Sequence, residues 1–198
     1  MSGRILILGI GNPLMGDEGV GVRVAEALMR DYTPSDDVEI LDAGTMGLGM
    51  MGLFRERDLV IVVDAVDHTG HEPGTVVIMT PEELAPTQVL HSLHDLRLVN
   101  VLEAASLTGI QPDVICVGVQ VTRIEPWVTS LTPAVDASLP AAVSAVLDLL
   151  SSREVELVPA PNASVDASVI ESIRTRAEIP ASPGPRDPDT PGARCADE

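Results

Sequence analysis

The chain has 198 residues and a formal charge of −18 at pH 7, from 12 basic against 30 acidic side chains, and every basic residue is an arginine. The absence of lysine excludes a Schiff-base amine and a phosphate-loop lysine, and the acidity excludes the basic face that a nucleic-acid binder needs. With one Phe, one Trp and one Tyr, the core must be built from aliphatic residues and Met. The two cysteines, Cys116 and Cys195, make no disulfide or metal framework, which suits a reducing compartment. No apolar run reaches the ~18 residues of a membrane span, and the N-terminus reads as a strand rather than a signal peptide. The composition therefore predicts a soluble, cytoplasmic, monomeric α/β protein that binds no nucleic acid and enters no membrane.

The run RILILGI, residues 4–10, is apolar without alternation, as in a strand covered on both faces of a parallel sheet. Val20, Val24, Ala27 and Leu28 fall at helical spacing within Gly19–Arg30. Val38–Leu41 reads as a second strand and Thr45–Arg57 as a Met- and Leu-rich helix. Leu59–Val63 is a third strand ending at Asp64, and Thr75–Met79 a fourth, entered through Pro73-Gly74. Leu93–Thr108 reads as a helix, Val114–Val121 as a strand and Pro133–Ser152 as a final helix. Strands separated by helices predict a three-layer α/β/α domain with a twisted, mostly parallel five-stranded sheet flanked by helices. That domain takes residues 1–158. The segment 159–198 holds seven of the 16 prolines and reads as a disordered tail, with a short helix near Val165–Arg176.

In such sheets ligands bind beyond the carboxyl ends of the strands, which selects loops 11–18, 42–45 and 64–72. The segment GIGNPLMGDEG opens like a dinucleotide loop at Gly9 and Gly11, but Leu14 stands at the third glycine's place. A Rossmann-like nucleotide module is thus a weak alternative. Asp17, at the start of the first helix, is expected to cap it, which leaves Glu18 to face the crevice. Asp64 ends a buried strand, where a carboxylate must be hydrogen-bonded, solvated or ligating a cation, and Asp42 has the same placement in VEILDAG. Histidines occur in two pairs, His68 with His71 and His91 with His94. Glu18, Asp64 and His94 would make a mixed nitrogen and oxygen set for a divalent metal with open positions. No nucleophile elbow exists, and Cys116 falls inside a strand, where packing is the expected role.

The segments ILILGIGNPLMGDEGVGVRVAEAL, EILDAGTMG, LVIVVDAV, SLHDLRLVNVL and SLTP, spread in order over residues 3–152, resemble the hydrogenase maturation proteases. The resemblance implies a phosphorylase/hydrolase-like α/β fold. It also implies an endopeptidase that trims the C-terminal extension of the nickel-loaded large-subunit precursor of a nickel–iron hydrogenase. It implies that Glu18, Asp64 and His94 form the metal site, with nickel supplied by the precursor and other divalent ions fitting the same donors. Asp42 corresponds to a further acidic position near the cleft and is the candidate general base; catalysis is then metal-assisted or of the aspartic type, through Asp42, Glu18 and Asp64. A chaperone that checks nickel loading without cutting would keep the same three ligands.

Overall fold

The strands form where the sequence is most aliphatic. A computed structural model describes residues 4–88 and 98–161. Strand β1 (Ile5–Ile10) leads through a 3-10 turn at Gly16–Gly19 into helix α1 (Val20–Asp31), followed by a short β2 (Tyr32–Thr33) and β3 (Val38–Gly44). Then come β4 (Leu59–Val66), β5 (Val76–Met79), α2 (Pro81–Leu84), α3 (Leu98–Ser106), β6 (Asp113–Gln120), α4 (Pro133–Asp136), α5 (Leu139–Ser151) and β7 (Val158–Pro159). Among the described residues five strands make one sheet in the order β3-β1-β4-β6-β5. The pairs β1–β3, β1–β4 and β4–β6 are parallel, and β5 alone runs antiparallel, against β6. The link from β4 to β5, residues 67–75, is too short for a crossover helix, so β5 returns along the far edge in the opposite sense.

Alternation along the strands sends side chains into two separate cores. One joins Ile5, Ile7, Ile61, Val63, Val117 and Val119 to α1 and α5 through Val24, Leu28, Val146 and Leu150. The other joins Leu6, Leu8, Val60, Val62 and Cys116 to Phe54, Leu84, Leu98 and Val101 on the opposite face. Each fully buried Leu, Ile or Val contributes about 1.5–3 kcal/mol, so the sheet is held mainly by aliphatic burial. Every residue of β4 is buried, as expected of a strand at the centre of three layers.

Several expectations are corrected. Thr45–Arg57 is not an α-helix but a 3-10 stretch over Gly47–Phe54, because Gly47, Gly49 and Gly52 lower helical stability by about 1 kcal/mol each. The single helix expected over Pro133–Ser152 breaks at Ala137 and Ser138, where Pro140 cannot donate to the preceding turn. The 19-residue stretch Pro133–Ser151 is long and apolar enough, by composition, to span a membrane. Here it is two helices whose Val135, Ala142, Val146 and Leu150 are buried against the sheet. The fold also continues past 158: Val158–Pro159 pairs antiparallel with Tyr32–Thr33, and Ala160 N–H donates to the Asp31 carbonyl. The expected tail after 161, the short helix within it, Cys195, His91, His94 and the first residues of the Leu93–Thr108 helix lie outside the described residues.

Candidate active site at the carboxyl ends of the strands

Gly9 and Gly21 let α1 lie directly on the sheet. A Cβ at Gly21 would come within 2.2 Å of the Val63 carbonyl oxygen and 2.3 Å of that of Ile10. Gly11 adopts φ 131°, and a Cβ there would come within 2.0 Å of the Glu18 carbonyl oxygen. The opening glycines therefore serve backbone packing beneath Glu18, and the nucleotide-loop pattern in this segment is a consequence of that packing.

Asp17 does not cap its own helix. It is fully buried, its Oδ1 accepting from the Thr132 N–H at 2.6 Å and its Oδ2 from the Thr132 hydroxyl at 3.0 Å. The charge is spent across the molecule, on the loop leading into α4, where the 3-10 turn before α1 points it. Three backbone hydrogen bonds reinforce that joint: Asp17 N to the Arg123 carbonyl at 3.1 Å, Gly16 N to that of Val128 at 2.7 Å, and Trp127 N to that of Leu14 at 2.8 Å. Glu18, carried on the loop so anchored, is half-buried, with its Oε2 shielded from solvent.

The central strand runs on past the expected end at Asp64 to Val66, paired with β6 throughout, and Asp64, two residues before that end, is 6% exposed. Its Oδ1 accepts from the Ala65 N–H at 2.8 Å and its Oδ2 from the Gln88 side-chain amide at 2.9 Å. Burial raises its carboxyl from 3.8 to about 6, against the lowering effect of those two hydrogen bonds. Gln88 in turn accepts from the Leu98 N–H at 3.0 Å, satisfying a donor in the first turn of α3. Gln88 and Leu98 are thus hydrogen-bonded to one another beside Asp64. Gln88 is fixed by its own N–H on the Leu84 carbonyl at 2.9 Å, at the end of α2, whose start is closed by a reciprocal capping box between Thr80 and Glu83.

Asp42 is exposed, and its Oδ1 accepts from the Gly44 N–H at 2.9 Å. It pairs in register with Gly9, which also pairs with Val63. Asp42 therefore lies on the α1 face, whereas Asp64, one residue beyond Val63, points to the α3 face about 10 Å away across β1. The sheet brings both carboxylates to one end but does not aim them at each other. His68 and His71 are exposed, with His68 Nδ1 3.3 Å from Asp67. Buried Gln120 steadies this loop by accepting from the Thr69 N–H at 3.2 Å and donating to Asp67 at 3.1 Å. Cys116 is buried in the core, its thiol pushed up to about 12 by that burial, which agrees with the expected packing role.

A model of hydrogenase maturation proteases matches residues 22–149. The chain is 41% identical over 159 residues to the hydrogenase 2 maturation protease of Escherichia coli strain K12, covering 79% of this chain and 96% of that protein. It belongs to the hydrogenase maturation protease family. It is also 38% identical over 171 residues to the hydrogenase expression/formation protein HupD of Rhizobium leguminosarum bv. viciae, over 85% of this chain and 84% of that one. Among solved structures, the hydrogenase maturating endopeptidase HybD from Escherichia coli superimposes with a TM-score of 0.71 at 40% identity, covering 80% of this chain and 98% of that one. The maturation protease HycI from Thermococcus kodakarensis gives 0.61 at 29% identity, over 75% of this protease and 92% of its own chain.

Sequence reasoning missed Gln88, Gln120 and Thr132. Their partners lie 24, 53 and 115 positions away along the chain, so no local pattern marks them. The one local signal that could have pointed there, T-P-E-E at Thr80–Glu83, is the capping box of the short helix that ends just before Gln88.

Proposed function

We propose that this protease removes the C-terminal extension of the nickel-loaded large-subunit precursor of a nickel–iron hydrogenase, in the cytoplasm. The observation that carries this reading is Asp64: a buried carboxylate near the carboxyl end of the central strand, oriented by Ala65 and Gln88, beside the loop that holds Glu18. The donors suit a borderline divalent cation, two carboxylates joined by the imidazole of His94. Nickel arrives as part of the substrate and contributes Lewis acidity to the scissile carbonyl. The chain's own residues do the rest. Asp64 and Glu18 grip the precursor's metal site, and His94 completes the set. Asp42 accepts a proton from the attacking water, whose hydroxyl joins the carbonyl carbon while the departing nitrogen gains a proton. The same donors admit other divalent ions, so recognition depends on what the precursor brings.

The deciding experiment is intact-mass spectrometry of nickel-loaded precursor incubated with the parent chain and with its Glu18→Gln and His94→Ala variants. Loss of a C-terminal peptide with the parent only is expected. Binding of the precursor with no mass loss would assign the chain to nickel checking without cleavage. Normal cleavage by both variants would remove the metal set from the mechanism.

A further inference from the structure

Four large apolar side chains stand exposed in the loops around the site: Leu14 and Met46, each 48% exposed, Leu48 at 51% and Trp127 at 85%. Trp127 is the least explained by local structure. Glu125-Pro126-Trp127-Val128 is a turn closed by the Val128 N–H on the Glu125 carbonyl at 3.4 Å, with proline at its second position. Trp127 sits at the third position with φ 66°, where a type II turn calls for glycine. A bulky residue held there is strained, and the strain persists only because Trp127 N and Gly16 N fix the turn to the Leu14–Gly16 loop. Glu56, His68 and Glu154 also have positive φ, but none of them has a comparably large side chain. Local folding alone would select glycine at 127, so the indole must answer to something outside the fold.

The occupant follows from charge and connection. Arg123 neutralises Glu125 at 2.6 Å, so the turn presents an uncharged apolar surface in a chain of net charge −18. A basic peptide gains nothing there, and an anionic lipid surface would repel so acidic a protein. The hydrogen bond from Trp127 N to the Leu14 carbonyl makes the surface continuous with the loop that carries Glu18. The Gly11 N–H on the Gly44 carbonyl, at 3.1 Å, ties that loop in turn to the end of β3, from which the chain leads to Met46 and Leu48. We infer that Trp127, with Leu14 beside it, is a docking anchor for an apolar segment of the hydrogenase large-subunit precursor. The anchor sets substrate affinity rather than the chemical step, and this inference rests on the function proposed above. Rigid aromatic side chains on a pinned backbone are the usual anchors of protein interfaces, where truncation weakens binding about tenfold or more.

The test compares the parent chain with Trp127→Gly and Trp127→Phe on the nickel-loaded precursor, measuring KM, kcat, Tm and, with immobilised precursor, Kd. Glycine relieves the turn, so its Tm should equal or exceed the parent's, while KM and Kd rise about tenfold or more with kcat within about twofold. Phenylalanine, keeping an aromatic ring, should recover most of the affinity. Unchanged KM and Kd in Trp127→Gly overturn the inference, as does a fall in Tm that accompanies equal losses in kcat. A parent dimer in sedimentation that Trp127→Gly dissolves without a change in Kd gives the surface to a second copy and also overturns it. A parent chain that binds precursor without cutting defeats the proteolytic reading alone, and the Kd comparison still decides the docking anchor. A parent chain that does not bind precursor defeats both.

Discussion

Asp42 and Asp64 are written alike, each directly after a pair of aliphatic residues and each followed by alanine. In the fold they differ sharply. Asp42, two residues before the end of the edge strand β3, is exposed, whereas Asp64, two residues before the end of the central strand β4, is 6% exposed between two tethering hydrogen bonds. Their side chains leave opposite faces of the sheet. A strand's position in the sheet, not its local sequence, decides whether its terminal carboxylate is solvated or confined. The confined one acquires a raised pKa and a fixed orientation, the attributes of a binding group.

The comparison breaks or sharpens in a definite order. The largest effect is expected from Asp64→Asn, which under the proposed mechanism should lower precursor processing on the order of a thousandfold or more, the loss of several kcal/mol of transition-state stabilisation. Retention of a tenth of the parent rate would end the claim that Asp64 is required.

Asp64 should also govern a stability profile. The folded carboxyl keeps its proton up to about pH 6, while an unfolded one releases it near 3.8. The folded state therefore binds more protons in that window, and stability falls as pH rises through it. The stabilising contribution is fully present below the unfolded value and lost above about pH 6, and its size is about 3 kcal/mol. Urea melts of the parent and Asp64→Asn chains from pH 4 to 8 should show the parent's decline between 4 and 6 flattened in the variant. Parallel profiles would mean that Asp64 is not the confined group.

Asp42→Asn should cost about a hundredfold in kcat, the usual worth of a general base, with Tm unchanged because the residue is exposed. A loss under threefold would leave Asp42 as a turn residue that accepts from Gly44 and nothing more. The smallest effect belongs to Gln88→Ala, about tenfold in processing. It has a signature that plain loss of stability lacks. Losing the amide removes a hydrogen bond that lowers the Asp64 carboxyl, so the acid limb of the pH–rate profile should move to higher pH. An unmoved limb would reduce Gln88 to a structural tie between Asp64 and α3.

A second pairing teaches the same lesson at closer range. Asp17 and Glu18 are neighbours at the start of one helix, and from sequence the first was expected to cap while the second faced the cleft. Asp17 is indeed structural, but its partner is Thr132, across the molecule. Capping preferences are local and were legible; a latch between residues 115 positions apart is not. The same limit hid Gln88, whose importance exists only because β4 and the start of α3 converge on it. The 3-10 stretch over Gly47–Phe54 was misjudged for a different reason. Its Met and Leu content suggested a helix, but three glycines tipped a marginal balance toward tighter turns.

By itself the sequence determined the layered α/β class, the central strands, the first helix and the positions of Glu18, Asp42 and Asp64 at strand ends and a helix start. These follow from aliphatic runs, helical spacing and glycine placement, which act over a few residues. Only the tertiary structure decided the strand order, the antiparallel return of β5, the confinement of Asp64 by Gln88, the burial of Asp17 on Thr132 and the fixing of Trp127 beside Leu14. Each of these depends on contacts between segments far apart in the chain. Such contacts are settled by which hydrophobic faces pack together and which buried polar groups must find partners once they do.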